Sequence, residues 1–532
     1  MRYTIFLLGF VLFSCQGGPT STNTQQKKRP NILFAISDDQ SYPYTSIYGD
    51  QSIQTPAFDR IAQMGVLFNN AFCAAPQCSP SRAAILTGKN IWQLEEAGTH
   101  SSYFPNKFTV FTDVLEASGY ELGYTGKPWG PGNWKDAGWD RNPVGPAYED
   151  VSYEEAPSTG ISKKNYAANF KAFFEKKPAD RPFFFWFGCH EPHRVFEEGS
   201  GLKAGKSLEK ANVPSFLPND ELVQSDLLDY AFEIEWFDQH LGEMLALLEA
   251  AGELENTIVV ITADNGMAFP YAKANLQEYG THVPLAIAGP SIEGGRKVDD
   301  LVSLIDLAPT FLEWTNTTPF QGITGKSLMN ILMAKTEGIV DESRKMVLTG
   351  RERHTHARPD NLGYPARAIR TADYLYIQNF KPDRWPAGDP AVPLAEGQAS
   401  AEDLKSMQGG YHDIDNSPSK SHITADSTAF PNYFQLAVGK RPTEELFDIK
   451  KDPGCTQNLA KEESLKAIKE TLKSELMTQL AMQGDPRVLG DGDIFESYPR
   501  FASMRAFAGF RERGAYNPKY GKEALEVVKV KD

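Results

Sequence analysis

Positive charge, cysteine and histidine are all in short supply in this chain. Its 532 residues hold 54 Lys and Arg against 69 Asp and Glu, with 5 cysteines and 9 histidines. A net charge of −15 excludes attraction to nucleic acid or an acidic membrane through bulk electrostatics. The cysteines, Cys15, Cys73, Cys78, Cys189 and Cys455, fall at irregular intervals that suggest neither a zinc site nor a dense disulfide framework. No solenoid-type repeat is visible. What remains is an ordinary globular composition, 41% hydrophobic and 23% charged, long enough for one large α/β domain and a smaller one.

The first apolar run, MRYTIFLLGFVLFSC, is too short to span a bilayer comfortably and reads as a secretory signal. Leu12-Phe13-Ser14-Cys15 resembles a bacterial lipobox, so Cys15 is expected to be acylated and to become the mature N-terminus. Residues 1–15 are then the signal, and the polar stretch 16–29 is a flexible tether. The expected location is a lipid anchor in a bacterial outer membrane, facing the periplasm or the outside.

From Pro30 onward, apolar β-type runs alternate with helical patterns, the form of a mostly parallel sheet covered on both faces. Asn31–Ser37, Tyr120–Gly126, Pro182–Gly188 and Thr257–Thr262 read as buried strands. Pro56 opens a helix capped by Thr55, and a long helix is expected from Ser225 as N-cap to Gly252. The pattern loosens near residue 362, which predicts a catalytic domain over 30–362 and a smaller α+β domain over 363–532.

Four strands end in polar groups: Asp38-Asp39, Lys127, Cys189-His190-Glu191-Pro192-His193-Arg194, and Asp264-Asn265. In open α/β sheets ligands bind beyond the carboxyl ends of strands, so these groups should share one edge. Three aspartates and an amide are hard oxygen donors suited to calcium or magnesium, not zinc or copper. The stretch CSPSRAAILTG, Cys78 to Gly88, places a thiol at the mouth of a helix expected to start at Ser79 as N-cap and Pro80 as first residue. Helix N-terminus, Arg82 and metal would together favour an oxyanion such as phosphate or sulfate.

These residues resemble the type I sulfatases, whose signature reads C-x-P-S-R with a threonine-glycine close. The resemblance runs from about Pro30 to Leu459 and includes PNILFAISDDQ, GKPWGPG, CHEPHR, ITADNGM and YAKANLQEYGTHVP. CHEPHR and the segment after Asp264 are most similar to the heparan N-sulfatase branch and bacterial polysaccharide sulfatases. The resemblance implies an alkaline phosphatase-like fold, one calcium ion, and oxidation of Cys78 to Cα-formylglycine by a maturation enzyme. It also implies Asp38, Asp39, Asp264 and Asn265 as calcium ligands along with residue 78, and Arg82 as support for the nucleophile. Lys127, His190 and Lys273 would contact the sulfate, with His190 the proton donor to the leaving group. One position departs from the pattern: Trp129 stands where many relatives carry histidine.

The implied activity is hydrolysis of sulfate esters, or sulfamates, on a sulfated carbohydrate, with no nucleic-acid partner. His100, His193, Arg194, His282, Arg353 and His354 are candidate substrate contacts, with solvated loops and inter-domain ion pairs as the plainer reading. Two alternatives are a phosphoester or phosphonate hydrolase of the same superfamily, and a glycan-binding lipoprotein on a degenerate fold. Intact Cys78, Arg82 and all four metal ligands oppose the second. For the anchor, a Cys15→Ser variant is expected to move from the membrane fraction to the soluble fraction of its host. Unchanged membrane retention would contradict lipidation at Cys15.

Overall fold

The computed structural model describes residues 28–358, 362–390 and 410–501. Cys15 and most of the expected tether lie outside these residues, as does part of the expected C-terminal domain. Among the described residues, no helix is long and apolar enough to cross a membrane.

An eight-stranded mixed sheet organises the chain. Its strands are β1 (Asn31–Ser37), β2 (Val66–Phe72), β3 (Glu121–Gly126), β4 (Phe183–Gly188), β5 (Thr257–Ala263), β6 (His282–Ala288), β7 (Arg296–Val298) and β8 (Val302–Ser303). The spatial order is β3-β4-β1-β5-β6-β2-β7, with β8 beside β2. β6 runs antiparallel to its two neighbours, and the other pairings are parallel. β1 sits at the centre and is buried along its whole length, which explains its unbroken apolar run. Ile32, Phe34 and Ile36 pack into one core with Trp186 and Phe311, whereas Leu33 and Ala35 pack into another with Phe185, Phe237 and Leu241. Each fully buried leucine or phenylalanine contributes about 1.5–3 kcal/mol of transfer free energy.

Helix α1 (Pro56–Met64) starts at Pro56 with Thr55 as N-cap, as its sequence predicts. The long helix α3 (Glu221–Ala250) starts earlier than expected. Asp220 caps it by accepting from the Val223 N–H at 3.1 Å, so Ser225 lies inside the helix. The signature helix α2 (Cys78–Thr87) also starts early, because Gln77 takes the extended N-cap conformation and Cys78 enters the first turn. Ser79 does not cap; its Oγ accepts from the Ser101 N–H at 2.9 Å. Gly88 ends α2 at φ 63°, a left-handed conformation natural to glycine.

A second sheet is four-stranded and antiparallel, in the order β12-β11-β10-β9. It comprises β9 (Val347–Arg351), β10 (Ala366–Arg370), β11 (Tyr374–Asn379) and β12 (Glu444–Asp448). β9 therefore lies before the expected domain boundary at residue 362. A late helix, α4 (Lys466–Met482), buries Leu472, Leu476 and Leu480 at four-residue spacing, with Leu465 and Ile468 only partly covered. The four described cysteines, Cys73, Cys78, Cys189 and Cys455, are buried and unpaired.

Candidate active site

Register brings the polar strand ends together. Ser37 of β1 aligns with Ala263 of β5, and Gly126 of β3 with Gly188 of β4, so Asp38, Asp264, Lys127 and Cys189 emerge along one edge. Gly126 has φ 80°, and a Cβ there would lie 1.9 Å from the Gly188 carbonyl oxygen. Only glycine lets the chain bring Lys127 in so closely.

Arg82 is the hub. Its guanidinium is fully buried, donates from Nε to Asp264 Oδ2 at 2.7 Å, and bonds the Lys127 and Pro128 carbonyls at 2.6 and 3.1 Å. Its Nη2 lies 3.9 Å from Asp38 Oδ1. Lys127 pairs with Asp38 Oδ2, and Lys273 pairs with Asp39 Oδ2 at 2.6 Å. The Asp39 N–H donates to Asp264 Oδ1 at 3.1 Å, and Asn265 Nδ2 donates to Asp39 Oδ1 at 2.8 Å. Cys78 Sγ sits 3.9 Å from Asp39 Oδ1.

The donor set fits a hard divalent cation. Carboxylate oxygens of Asp38, Asp39 and Asp264 lie within 4.8 Å of one another, and all three residues are buried. Asp38 Oδ1 and Asn265 Oδ1 are buried without a hydrogen-bond partner. Buried oxygens are rarely left so, and both suit a calcium- or magnesium-type ion. Negative charge is crowded here: burial and then Asp38 raise the Asp264 carboxyl to about 7, although Arg82 and Lys127 act against it.

The electrostatics separate the roles. Burial acts to raise the Asp38 carboxyl, but Lys127, His193, Arg82 and Lys273 hold it well below the usual range. Burial opposes charge on Lys127, yet Asp38 raises it and keeps it cationic. The Cys78 thiol is pushed well up by burial and by Asp38. A thiol held protonated is a poor nucleophile. Burial and then Lys127 push His190 down to about 3.

The histidine position taken by Trp129 is occupied structurally. The indole is buried, donates to the Ser79 carbonyl at 3.1 Å and packs on Phe104 at 5.0 Å. It braces the first turn of α2 and has no site to accept a proton. His193 enters the pocket instead, with Nε2 3.8 Å from Asp39 Oδ2. Asp38, Cys78 and His193 also offer ligand atoms within 4.8 Å of one another.

The other expected substrate contacts divide. His100 is buried near the pocket, with Nδ1 3.0 Å from the His354 carbonyl and the two rings 4.7 Å apart. His354 Nδ1 lies 3.6 Å from Asp413. Arg194 is committed elsewhere: it forks onto Asp226 at 2.7 and 2.8 Å between the rings of Phe196 and Phe269. His282 stacks on Tyr42 and holds Glu278 and the Asn69 carbonyl, at 3.3 and 2.9 Å. Arg353 bonds the Tyr498 and Pro499 carbonyls. These three residues brace the fold. One residue was missed: Asp415, whose Oδ2 lies 3.1 Å from Lys273 Nζ. Its short HDID motif sits in a polar loop far along the chain, with no periodicity to mark it.

Comparison with known proteins agrees with this geometry. A sulfatase family model matches residues 30–317. The chain is 27% identical to human N-sulphoglucosamine sulphohydrolase over 519 residues, covering 88% of this chain and 94% of that one. It is 26% identical to an ulvan-active sulfatase of Formosa agariphila over 511 residues, covering 90% and 89%. A solved structure in complex with its substrate D-glucosamine-2-N,6-O-disulfate shares the fold, with TM-score 0.61, 20% identity, and coverage of 86% of this chain and 99% of that one. A second solved structure, from Bacteroides fragilis, gives a TM-score of 0.60 at 18% identity, covering 87% and 98%. The chain belongs to the sulfatase family, and its signature helix lies at the centre of the charged strand ends described above.

Proposed function

We propose that this sulfatase removes sulfate from a sulfated polysaccharide or its oligosaccharides, using formylglycine made from Cys78 by a maturation enzyme, beside one calcium ion. The observation that carries this reading is the enclosure of Cys78 by the aspartates at the ends of β1 and β5 and by the cations Arg82, Lys127 and Lys273. The glycan class is supported by the relatives, named for N-sulphoglucosamine and ulvan, and by the similar structure that holds a glucosamine disulfate. Export and a lipid anchor at Cys15 complete the proposal, since a polymer outside the cell must be met there.

Asp38, Asp39, Asp264 and Asn265, with residue 78, would hold the ion. When bound, calcium supplies positive charge against the sulfuryl oxygens and acidifies a hydroxyl next to it. Formylglycine supplies, when hydrated, one hydroxyl to attack sulfur and a second through which sulfate is freed without a stable ester. Arg82 fixes the orientation of position 78 through its fork on Asp264 and the Lys127 carbonyl. Lys127 and Lys273 oppose negative charge on the sulfuryl oxygens from fixed positions, where such charges act most strongly. His190 donates the proton to the departing sugar oxygen or nitrogen. It is neutral in the free protein, and an arriving anionic sulfate opposes the Lys127 charge and favours the protonated ring. With Trp129 bracing α2, His193 is the imidazole placed to hold a proton released near position 78.

Sulfate release from a panel of sulfated oligosaccharides is expected, with little turnover of matching phosphate esters. His190→Ala is expected to lower kcat by about a hundredfold or more, least on substrates with good leaving groups. A preference for phosphate esters would overturn the reading. Calcium is expected to raise the thermal midpoint of the chelator-treated protein, with the shift lost in Asp38→Asn. An equal shift in both proteins would contradict an ion at this site.

A further inference from the structure

Lys273 has two carboxylate partners, and they come from opposite ends of the chain. Asp39, at the end of β1, lies 2.6 Å from its Nζ, and Asp415, from the C-terminal unit, lies 3.1 Å away. Both aspartates and the lysine are buried. Asp415 stands at the pocket and not merely behind the lysine, because Asp39, His193 and Asp415 offer ligand atoms within 4.8 Å of one another.

The chain just before Asp415 is pinned. Two residues earlier, Asp413 accepts from Arg351 at 3.0 Å, Arg358 at 2.6 Å, and the Thr355 N–H and Oγ1 at 3.0 and 2.7 Å. Burial works to raise the Asp413 carboxyl, but Arg358 and Arg351 hold it far below the usual range. One residue before Asp415, the Ile414 carbonyl accepts from Lys420 Nζ at 3.1 Å. So much fixed bonding around one loop carboxylate matters because lysine is otherwise mobile on its four-carbon stem. With Asp39 alone, the ammonium would settle onto a carboxylate that also serves the cation site. A second carboxylate 3.1 Å away shares the ammonium charge with Asp39, so that Nζ stays in the pocket where a sulfuryl oxygen would arrive.

We propose that Asp415 is a positioning residue for Lys273, so that the C-terminal unit completes the sulfate pocket of the large sheet. This rests on reading the pocket as the sulfatase site. The test is a double-mutant cycle on protein matured in its host: wild type, Asp415→Asn, Lys273→Ala and the double variant, with melting midpoints alongside. Asp415→Asn is expected to lower kcat/KM for sulfate release about tenfold in the wild-type background and less than about threefold in the Lys273→Ala background, with unchanged melting. If Lys273→Ala has no measurable turnover, the same cycle is read as Kd for inorganic sulfate by calorimetry, with the same ratios expected. An Asp415→Asn effect of equal size in both backgrounds, or none in either, would overturn the proposal. A wild type that binds sulfate but releases none would refute the parent reading, while the binding cycle still reports whether Asp415 acts through Lys273.

Discussion

The buried ion pair between Arg82 and Asp264 is the contact on which the site depends. It joins the first turns of α2 to the end of β5, and the same guanidinium ties down the carbonyls of Lys127 and Pro128 beyond β3. Three separate segments are thereby held around residue 78. Breaking a buried pair of this kind typically costs about 3–5 kcal/mol, because the remaining charge is stranded out of water. Lysine could not replace it, since a point charge on a flexible stem cannot hold the Asp264 carboxylate and two carbonyls together.

Around that ion pair the pocket opposes the character of the whole molecule. The chain is acidic, with a net charge of −15, and at physiological salt that field fades over about 8 Å. At contact, the local arrangement decides. Lys127 and Lys273 remain cationic because each is paired with an aspartate, and those aspartates in turn converge on oxygens that suit a divalent ion. The site is thus a small, fixed ionic lattice with position 78 at its centre. Recognition in such a lattice is local, which is consistent with a pocket for one sulfate group and inconsistent with a basic track along a polymer.

Much of this was legible in the sequence, for identifiable reasons. β1 and β5 are apolar without alternation, which marks central strands, and Asp38-Asp39 and Asp264-Asn265 follow directly, so strand order alone places them side by side. Residues that depend on distant packing were harder to read. Arg194 lies within CHEPHR yet turns to Asp226 on α3, a choice made by the helix packed beneath it. His282 follows a similar course, held between Tyr42 and Phe72. Asp415 was invisible because its meaning comes from the Asp413 clamp, which needs Arg351 and Arg358 in place. The starts of α2 and α3 were misplaced by a few residues at most, because Ser79 and Ser225 look like caps but Gln77 and Asp220 hold those positions. Trp129 was legible as a departure, but only packing explains it: the indole trades a titratable ring for a brace under Ser79.

The central claim is that the sulfur of residue 78 is a precursor, consumed before the enzyme works. Mass spectrometry of the peptide spanning α2, from active protein isolated from its own host, addresses this directly. The account predicts an aldehyde at position 78, detectable by its mass and by capture with a hydrazine reagent. An unaltered cysteine there, with full desulfation persisting in Cys78→Ala, would contradict it.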